Sequence, residues 1–177
     1  MERIYFKVSQ WYNEPVKLSD FHPDYRVQMI GDIQGELLNL WGIKTILLDV
    51  DNTLTNKGSS QIHPSAKAWI EAQLNEGRRV LLCSNNFSQS ASKIAQELRI
   101  ESLHLALKPF TFRIQKRIRT GHYPSPMLMI GDQVFTDIWL GKRLHAKTIL
   151  VNPLSQNDWL STKFVRIVER FVLKDKP

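Results

Sequence analysis

The stretch that decides the fold is Thr45-Ile46-Leu47-Leu48-Asp49-Val50-Asp51-Asn52-Thr53. A short apolar run that ends in acids is typical of a buried strand whose carboxyl end meets solvent. Asp49 and Asp51 are two residues apart on an extended segment, so their side chains point the same way. Two crowded carboxylates need a cation or a shared proton, and a hard divalent metal such as Mg²⁺ suits their oxygens. An isolated Asp-x-Asp also occurs in helix caps and turns, so the other strand ends must decide.

Apolar runs and helical stretches alternate regularly after residue 44. Strands are predicted at 45–48, 80–83, 103–107, 127–130 and 148–151. Helices are predicted at about 64–76, 88–98, 110–120, 134–144 and 158–173. Strands that are apolar throughout and alternate with helices predict a doubly wound α/β fold, with a parallel five-stranded sheet covered on both faces. We expect residues 1–40 to be an N-terminal extension packed on the core of a domain spanning 41–177.

Polar residues follow the other predicted strands at the same edge of the sheet. They are Ser84-Asn85-Asn86 after the second strand, Lys108-Pro109 after the third, and Gly131-Asp132 with Asp137 after the fourth. Ligands bind at the carboxyl ends of strands in such sheets. An acid pair, a hydroxyl, a lysine and a second acid pair suit phosphoryl transfer, which needs a nucleophile, a metal and groups that hold phosphate oxygens.

These residues resemble the four motifs of the haloacid dehalogenase (HAD) superfamily over roughly residues 44–152. The resemblance implies that Asp49 is the nucleophile and forms an aspartyl-phosphate. Asp51 would then be the general acid for the leaving group and the base for the hydrolytic water. An acid at this second position is similar to the phosphatase and phosphotransferase branches, so the expected activity is phosphoric monoester hydrolysis.

The same resemblance implies the phosphate and metal ligands. Ser84, Asn85 and Lys108 would hold the phosphate, and Lys108 would also stabilise charge around Asp49. A Mg²⁺ ion would be held by the Asp49 and Asp132 carboxylates and the Asp51 backbone carbonyl, with Asp137 supporting the site.

The intervals between the motifs are short. Only residues 52–79 separate Asp51 from the second strand, and 85–107 separate Ser84 from Lys108, so no large cap domain is expected. An open site suits a phosphate displayed on something large. The chain is similar in more detail to the YqeG-type HAD phosphatases and to phosphatidylglycerophosphate phosphatases, so a phospholipid monoester is the expected substrate.

Charge and composition set the expected location. The 177 residues include 24 Lys+Arg and 17 Asp+Glu, a net charge of +7 that belongs entirely to residues 101–177. A basic field of this kind attracts phosphates, acidic lipid or nucleic acid. The single cysteine, Cys83, excludes an intramolecular disulfide framework, and no long apolar stretch is present. We therefore expect a cytoplasmic protein that contacts the inner face of the membrane peripherally.

The last predicted helix offers one route to such contact. Its bases Lys163, Arg166, Arg170 and Lys174 recur along one side, opposite Phe164, Ile167, Val168 and Phe171. A basic amphipathic helix can lie on anionic lipid, but the same apolar side can instead cover the sheet.

Two other functions stay open at this point. One is a HAD phosphatase for soluble phosphometabolites, nucleotides or phosphoproteins. The other is a nucleic-acid-binding protein that uses the basic second part, although its bases are not interleaved with aromatic residues as a stacking platform requires.

Overall fold

A computed structural model describes residues 17–56, 59, 61–86 and 89–155. These residues form one six-stranded sheet in which every neighbouring pair is parallel. The strands are β1 (Tyr25–Val27), β2 (Thr45–Leu48), β3 (Arg79–Cys83), β4 (Glu101–Leu103), β5 (Met127–Gly131) and β6 (Lys147–Val151). Their order across the sheet is β1-β6-β5-β2-β3-β4. The α/β class and the parallel sheet with helices are therefore confirmed.

Within the described ranges, five α-helices cover the sheet. They are α1 (Gly35–Leu40), α2 (Pro64–Asn75), α3 (Gln89–Leu98), α4 (Phe112–Thr120) and α5 (Trp139–Arg143). Short 3-10 turns lie at Leu18–Phe21 and Ile30–Asp32, and a π-helical turn at Val134–Ile138 leads into α5. Pro64 occupies the first turn of α2, and Gly77, just beyond its end, has a φ of +81° that favours glycine.

The central strands bury both of their faces. Ile46 and Leu48 of β2 pack in one apolar cluster with residues of α2 and α3, and the intervening Leu47 packs on the opposite side with Ile114 of α4. Successive side chains of a strand point to opposite faces, so a strand apolar at every position needs helices on both sides. The observed two-sided core is the reason these strands are recognisable as apolar runs.

The sixth strand, β1, comes from the N-terminal extension and was missed because it is only three residues long and mostly exposed. It pairs with β6 at the edge of the sheet. The Asp24 carboxylate accepts hydrogen bonds from the Thr148 backbone N–H at 2.8 Å and the Thr148 hydroxyl at 2.7 Å, and Lys142 adds an ion pair at 3.0 Å. These contacts fasten the strand to the sheet.

The third predicted strand was placed too late. We expected residues 103–107, whereas β4 ends at Leu103 and the following residues form a loop in which Leu105 and Leu107 have φ values of 48° and 58°. Alternating apolar residues resembled a strand, but their left-handed backbone ends the pairing.

The closing helix predicted at 158–173 lies outside the described residues. None of the helices within the described ranges has the length and apolar character needed to cross a bilayer.

Candidate active site

Strand β2 lies between β5 and β3, so its carboxyl end is flanked by the ends of both neighbours. The chain leaves β2 towards β3 and β4 on one side and returns to β5 and β6 on the other. This reversal of strand order opens a crevice in which α/β sheets bind ligands. Asp49, Ser84 and Asp132 follow these three strands, and Lys108 arrives from the loop after β4. The topology thus brings all four predicted motifs to one edge.

Lys108 is the buried cation of this edge. Its ammonium forms ion pairs with Asp49 Oδ1 and with Asp137 Oδ1, the latter at 2.7 Å, and all three side chains are almost completely buried. Burial lowers the pKa of Lys108, but the two carboxylates outweigh it and hold the pKa well above its usual range. Lys108 therefore stays charged at any working pH.

Asp137 is brought into the site by a close approach to β5. A Cβ at Gly131 would lie 2.2 Å from Asp137 Oδ2, so only glycine leaves room for this carboxylate. The Gln133 backbone N–H donates to the same oxygen at 3.1 Å. Asp137 is fully buried. Gly131 is therefore required in the fourth motif because a larger residue would clash with the Asp137 side chain.

Three carboxylates converge beside the lysine. Oxygens of Asp49, Asp132 and Asp137 lie within 4.8 Å of one another. Burial raises the pKa of Asp49 to about 7; Lys108 opposes this shift, while Asp137 and Asp51 add to it. Burial also raises the pKa of Asp132 to about 8, with further contributions from Asp49 and Asp137. Three acids and one base leave uncompensated negative charge, which a divalent cation would neutralise.

Asp132 carries a second sign of a cation site. Its Oδ1 is buried and has no hydrogen-bond partner among the described residues. Buried polar atoms are normally satisfied, and an orphaned carboxylate oxygen calls for an ion or water. The all-oxygen donor set fits a hard divalent metal. The resemblance implied a supporting role for Asp137, and its carboxylate lies within this cluster.

Asp51 faces the edge of the site rather than the carboxylate cluster. Its Oδ2 accepts a hydrogen bond from Asn86 Nδ2 at 3.2 Å and lies 3.5 Å from the Ser84 hydroxyl. The residue is half-buried, so its carboxylate can reach both a bound ester and water. The metal contact that the resemblance implies for Asp51 is through its backbone carbonyl and not through this carboxylate.

Asn85 holds the backbone of Lys108. Its Oδ1 accepts from the Lys108 N–H at 2.7 Å, and its Nδ2 donates to the Lys108 carbonyl at 3.1 Å. Both ends of the amide are used in this way. A contribution of Asn85 to phosphate binding, as expected from the sequence, would therefore come from its backbone N–H.

A cavity of about 220 Å³ adjoins the loop after β2. It is lined by Asn56, Ser59, Gln61, Ile62, His63, Pro64 and Leu154. The Leu154 backbone N–H donates to the Asn52 carbonyl at 2.9 Å, which ties one wall of the cavity to the residue after Asp51. Its lining thus combines apolar side chains with amide, hydroxyl and imidazole groups.

Sequence reasoning named too few neighbours of the two acids. The Thr53 hydroxyl lies 3.4 Å from Asp49 Oδ2, and Asn86 bonds to Asp51. Both belong to the stretches that carry the motifs, so their spacing from the acids was the available signal. Cys83, next to Ser84, is fully buried, and burial raises the pKa of its thiol to about 12, which excludes a reactive thiolate.

Comparison with known proteins agrees with this geometry. The family described as "Mitochondrial PGP phosphatase" matches residues 15–154. The Bacillus subtilis (strain 168) protein described as "Probable phosphatase YqeG" is 32% identical over 154 residues, covering 86% of this chain and 90% of that protein. "Phosphatidylglycerophosphate phosphatase 1, chloroplastic/mitochondrial" of Arabidopsis thaliana is 30% identical over 163 residues, covering 86% of this chain but only 47% of that protein.

The fold is also found among solved structures. The cobalt-bound deoxy-D-mannose-octulosonate 8-phosphate phosphatase from Haemophilus influenzae superimposes with a TM-score of 0.50 at 14% identity, covering 74% of this chain and 90% of that one. This likeness supports the HAD-like fold. With the site geometry and the two relatives, it leads to one conclusion: the chain belongs to the mitochondrial PGP phosphatase family and is a phosphatase of the HAD type.

Proposed function

We propose that the protein is a Mg²⁺-dependent phosphatase that converts phosphatidylglycerophosphate to phosphatidylglycerol through a phosphorylated Asp49. The observation that carries the chemistry is the buried Asp49 carboxylate at the end of β2, paired with Lys108 and within 4.8 Å of the ligand oxygens of Asp132 and Asp137. This arrangement places a nucleophile, a cation and a metal-binding acid cluster at one point.

The described residues fit the metal. Carboxylates of Asp49, Asp132 and Asp137 with the backbone carbonyl of Asp51 would hold it, and the orphaned Asp132 Oδ1 supplies a free ligand atom. When bound, Mg²⁺ offsets the negative charge of the phosphate and of the acids. With the cation held there, Asp49 and Asp132 would both be favoured as carboxylates, the form in which Asp49 can attack phosphorus.

The first step transfers the phosphoryl group. A carboxylate oxygen of Asp49 attacks phosphorus while the ester oxygen leaves and takes a proton from Asp51. Ser84 and Lys108 donate hydrogen bonds to the equatorial phosphate oxygens, where charge is spread in the transition state. Asn85 fixes the Lys108 backbone, and Asn86 orients the Asp51 carboxylate.

The second step returns Asp49 to its starting form. Asp51, now a carboxylate, accepts a proton from water as the water attacks the phosphorus of the aspartyl-phosphate. The bond between phosphorus and the Asp49 oxygen breaks, and inorganic phosphate leaves. One residue thus serves as acid and then as base, which requires that it reach both the ester and solvent; Asp51 is half-buried.

Three observations support the phospholipid substrate. The family and the Arabidopsis relative are described by this activity. Within the described residues, the segment between β2 and β3 contains α2 and no further domain, so that side of the site is open to a phosphate displayed on a surface. The cavity tied to Asn52 offers the side chains of Asn56, Ser59 and Gln61 as hydrogen-bonding partners for the glycerol hydroxyls of the headgroup. The enzyme would then work at the cytoplasmic face of a membrane.

A substrate panel tests this assignment. We expect kcat/KM for phosphatidylglycerophosphate in mixed micelles to exceed that for glycerol 3-phosphate, sugar phosphates, nucleotides and a phosphopeptide by about a hundredfold or more, because binding energy from the lipid part of the substrate helps to stabilise the transition state. A soluble ester that is turned over as efficiently as the lipid would contradict the proposal and favour a soluble substrate.

A further inference from the structure

Four large apolar side chains are exposed around Lys108. Their exposed fractions are 41% for Leu105, 42% for Leu107, 49% for Phe110 and 47% for Phe112. Within the same loop, the polar side chains of Lys108 and Thr111 are buried. Residues 105–112 thus expose their four largest apolar side chains, while the polar side chains of Lys108 and Thr111 lie inside together with the smaller Ala106 and Pro109. We call these four side chains the apolar rim. Clustered exposed apolar side chains mark contact surfaces, whereas single ones are ordinary.

The backbone holds the apolar rim outward. Leu105 and Leu107 both have positive φ values, 48° and 58°, a conformation that bulky L-residues rarely adopt. Between them, the Ala106 N–H donates to the Ser84 carbonyl at 2.9 Å, and the Asn85 side chain fixes the next turn through Lys108. The exposure therefore belongs to an anchored loop that is attached directly to the active site.

Positive charge surrounds the apolar rim. Residues 102–131 include five bases and no acid, but Lys108 is buried and Arg117 pairs with Glu101 at 2.8 Å, so the surface charge here comes mainly from the other three bases. On α4, Phe112, Lys116 and Arg119 are spaced at i, i+4 and i+7, so they share a face, and all three are exposed. Arg113 is one residue from Phe112. Apolar side chains beside long basic ones match the boundary between acyl chains and anionic headgroups, because Lys and Arg stems can pass apolar surface and keep their charges in water.

We propose that the apolar rim, with Arg113 and Lys116, is the surface by which the protein docks on an anionic lipid bilayer. The inference rests on the proposed phospholipid substrate, because docking here brings the loop of Lys108 to the headgroups. A surface of this composition on the far edge of the sheet would turn the site away from lipid. Other large apolar side chains exposed among the described residues precede β2 in the chain: Leu18, Tyr25, Met29 and Leu40. Leu40 ends α1 just before β2, so it lies towards the amino ends of the strands, opposite the site.

Vesicle cosedimentation tests the docking surface. Wild-type protein should bind vesicles of phosphatidylglycerol and phosphatidylcholine, and bind pure phosphatidylcholine vesicles far more weakly. The double variant Phe110→Ser/Phe112→Ser should lower the partition coefficient on the mixed vesicles by about tenfold or more, because two half-exposed aromatic side chains no longer enter the interface. The matched control Leu40→Ser, which removes an 81% exposed leucine from the side opposite the site, should bind like the wild type.

A variant that lacks two of the basic side chains tests the docking surface independently. Arg113→Gln/Lys116→Gln should weaken binding to the mixed vesicles by about fivefold per residue, and added salt should remove most of this difference. Both double variants should hydrolyse the soluble ester p-nitrophenyl phosphate at the wild-type rate, which shows that the site is folded.

Three outcomes would overturn the docking surface. The first is that the wild-type protein does not bind the mixed vesicles, and the second is that the Phe110→Ser/Phe112→Ser variant binds them as tightly as the wild type. The third is a wild-type dimer in sedimentation velocity that this variant dissociates, since the apolar rim would then contact a second copy. A wrong substrate assignment would give a different result. Vesicle binding that depends on the apolar rim, without phosphate release from phosphatidylglycerophosphate, would support the docking surface and contradict the proposed function.

Discussion

The ammonium of Lys108 donates to the carboxylate of Asp137 at 2.7 Å, although the two residues belong to loops on different sides of β2. The same ammonium pairs with Asp49. A cation buried between two acids is stabilised by both, whereas either acid alone would be costly to bury. This bridge connects the two halves of the sheet at the proposed nucleophile.

Replacing Lys108 by Met should lower both activity and stability, because the buried Asp49 and Asp137 lose the cation that they share. We expect kcat to fall by at least about 10²-fold, since a donor aimed at the transferring phosphoryl group is lost. The matched control is Lys67→Met, which removes a lysine from an exposed pair with Glu97. That variant should keep its rate. Steady-state kinetics on p-nitrophenyl phosphate measures both, and near-wild-type turnover by the Lys108 variant would refute the role of this lysine.

Gly131→Ala tests the packing that places Asp137. The added Cβ would fall 2.2 Å from Asp137 Oδ2 and 2.6 Å from Asp137 Cβ, so the acid must move. We expect the apparent affinity for Mg²⁺ to fall about 10–100-fold, the range seen when groups that support a metal site are disturbed. A titration of activity against Mg²⁺ gives the value. Gly35→Ala, whose Cβ would lie 3.5 Å from Glu76 Oε1, should behave like the wild type.

Asn85→Ala removes both hydrogen bonds that hold the Lys108 backbone. The free energy of unfolding should drop by about 1–3 kcal/mol, because buried polar groups of the backbone lose their partners. The kcat should also drop, while KM for a soluble ester changes little. Asn152→Ala, which removes an exposed hydrogen bond to Gln28, is the control for both readings. An unchanged kcat in the Asn85 variant would show that the bonds only stabilise the loop.

The contact between Asp24 and Thr148 predicts a pH dependence of stability. Burial alone would raise the pKa of Asp24, but hydrogen bonds from Thr148 and Lys142 outweigh it, so the pKa lies below its ordinary value of 3.8. A lowered pKa contributes stability above the unfolded pKa and loses it as pH falls through the folded one. Asp24→Asn should thus cost about 1 kcal/mol of unfolding free energy at pH 7 and less at pH 3. Urea unfolding at both pH values checks this, and an equal difference at both would contradict it.

The sequence predicted the sheet well where strands are buried on both faces. β2, β3 and β5 are apolar at nearly every position because helices cover both sides, and that pattern is visible without a structure. β1 was missed because it is short, and it is held at the sheet edge by the neighbouring Asp24. The partner of Asp24 is Thr148, which is 124 residues away in the chain. No local pattern reports such a contact.

The candidate site was likewise predictable from the sequence only in part. The acids, the lysine and the hydroxyl could be placed at one edge because each follows a strand. The orientation of Asn85 towards Lys108 could not be predicted, since an amide suits both a backbone and a phosphate. Leu105 and Leu107 were expected in a strand, and their left-handed backbone, which exposes them instead, depends on tertiary contacts with Ser84 and Asn85.

The most direct test of the central claim is release of inorganic phosphate from phosphatidylglycerophosphate in mixed micelles with Mg²⁺, by the wild type and by Asp49→Asn. Asn keeps the shape of Asp49 but is not a competent nucleophile. We predict measurable turnover by the wild type and a loss of at least about 10³-fold in the variant, the scale expected when a nucleophile is removed. Equal rates for the two proteins would contradict the assignment of Asp49.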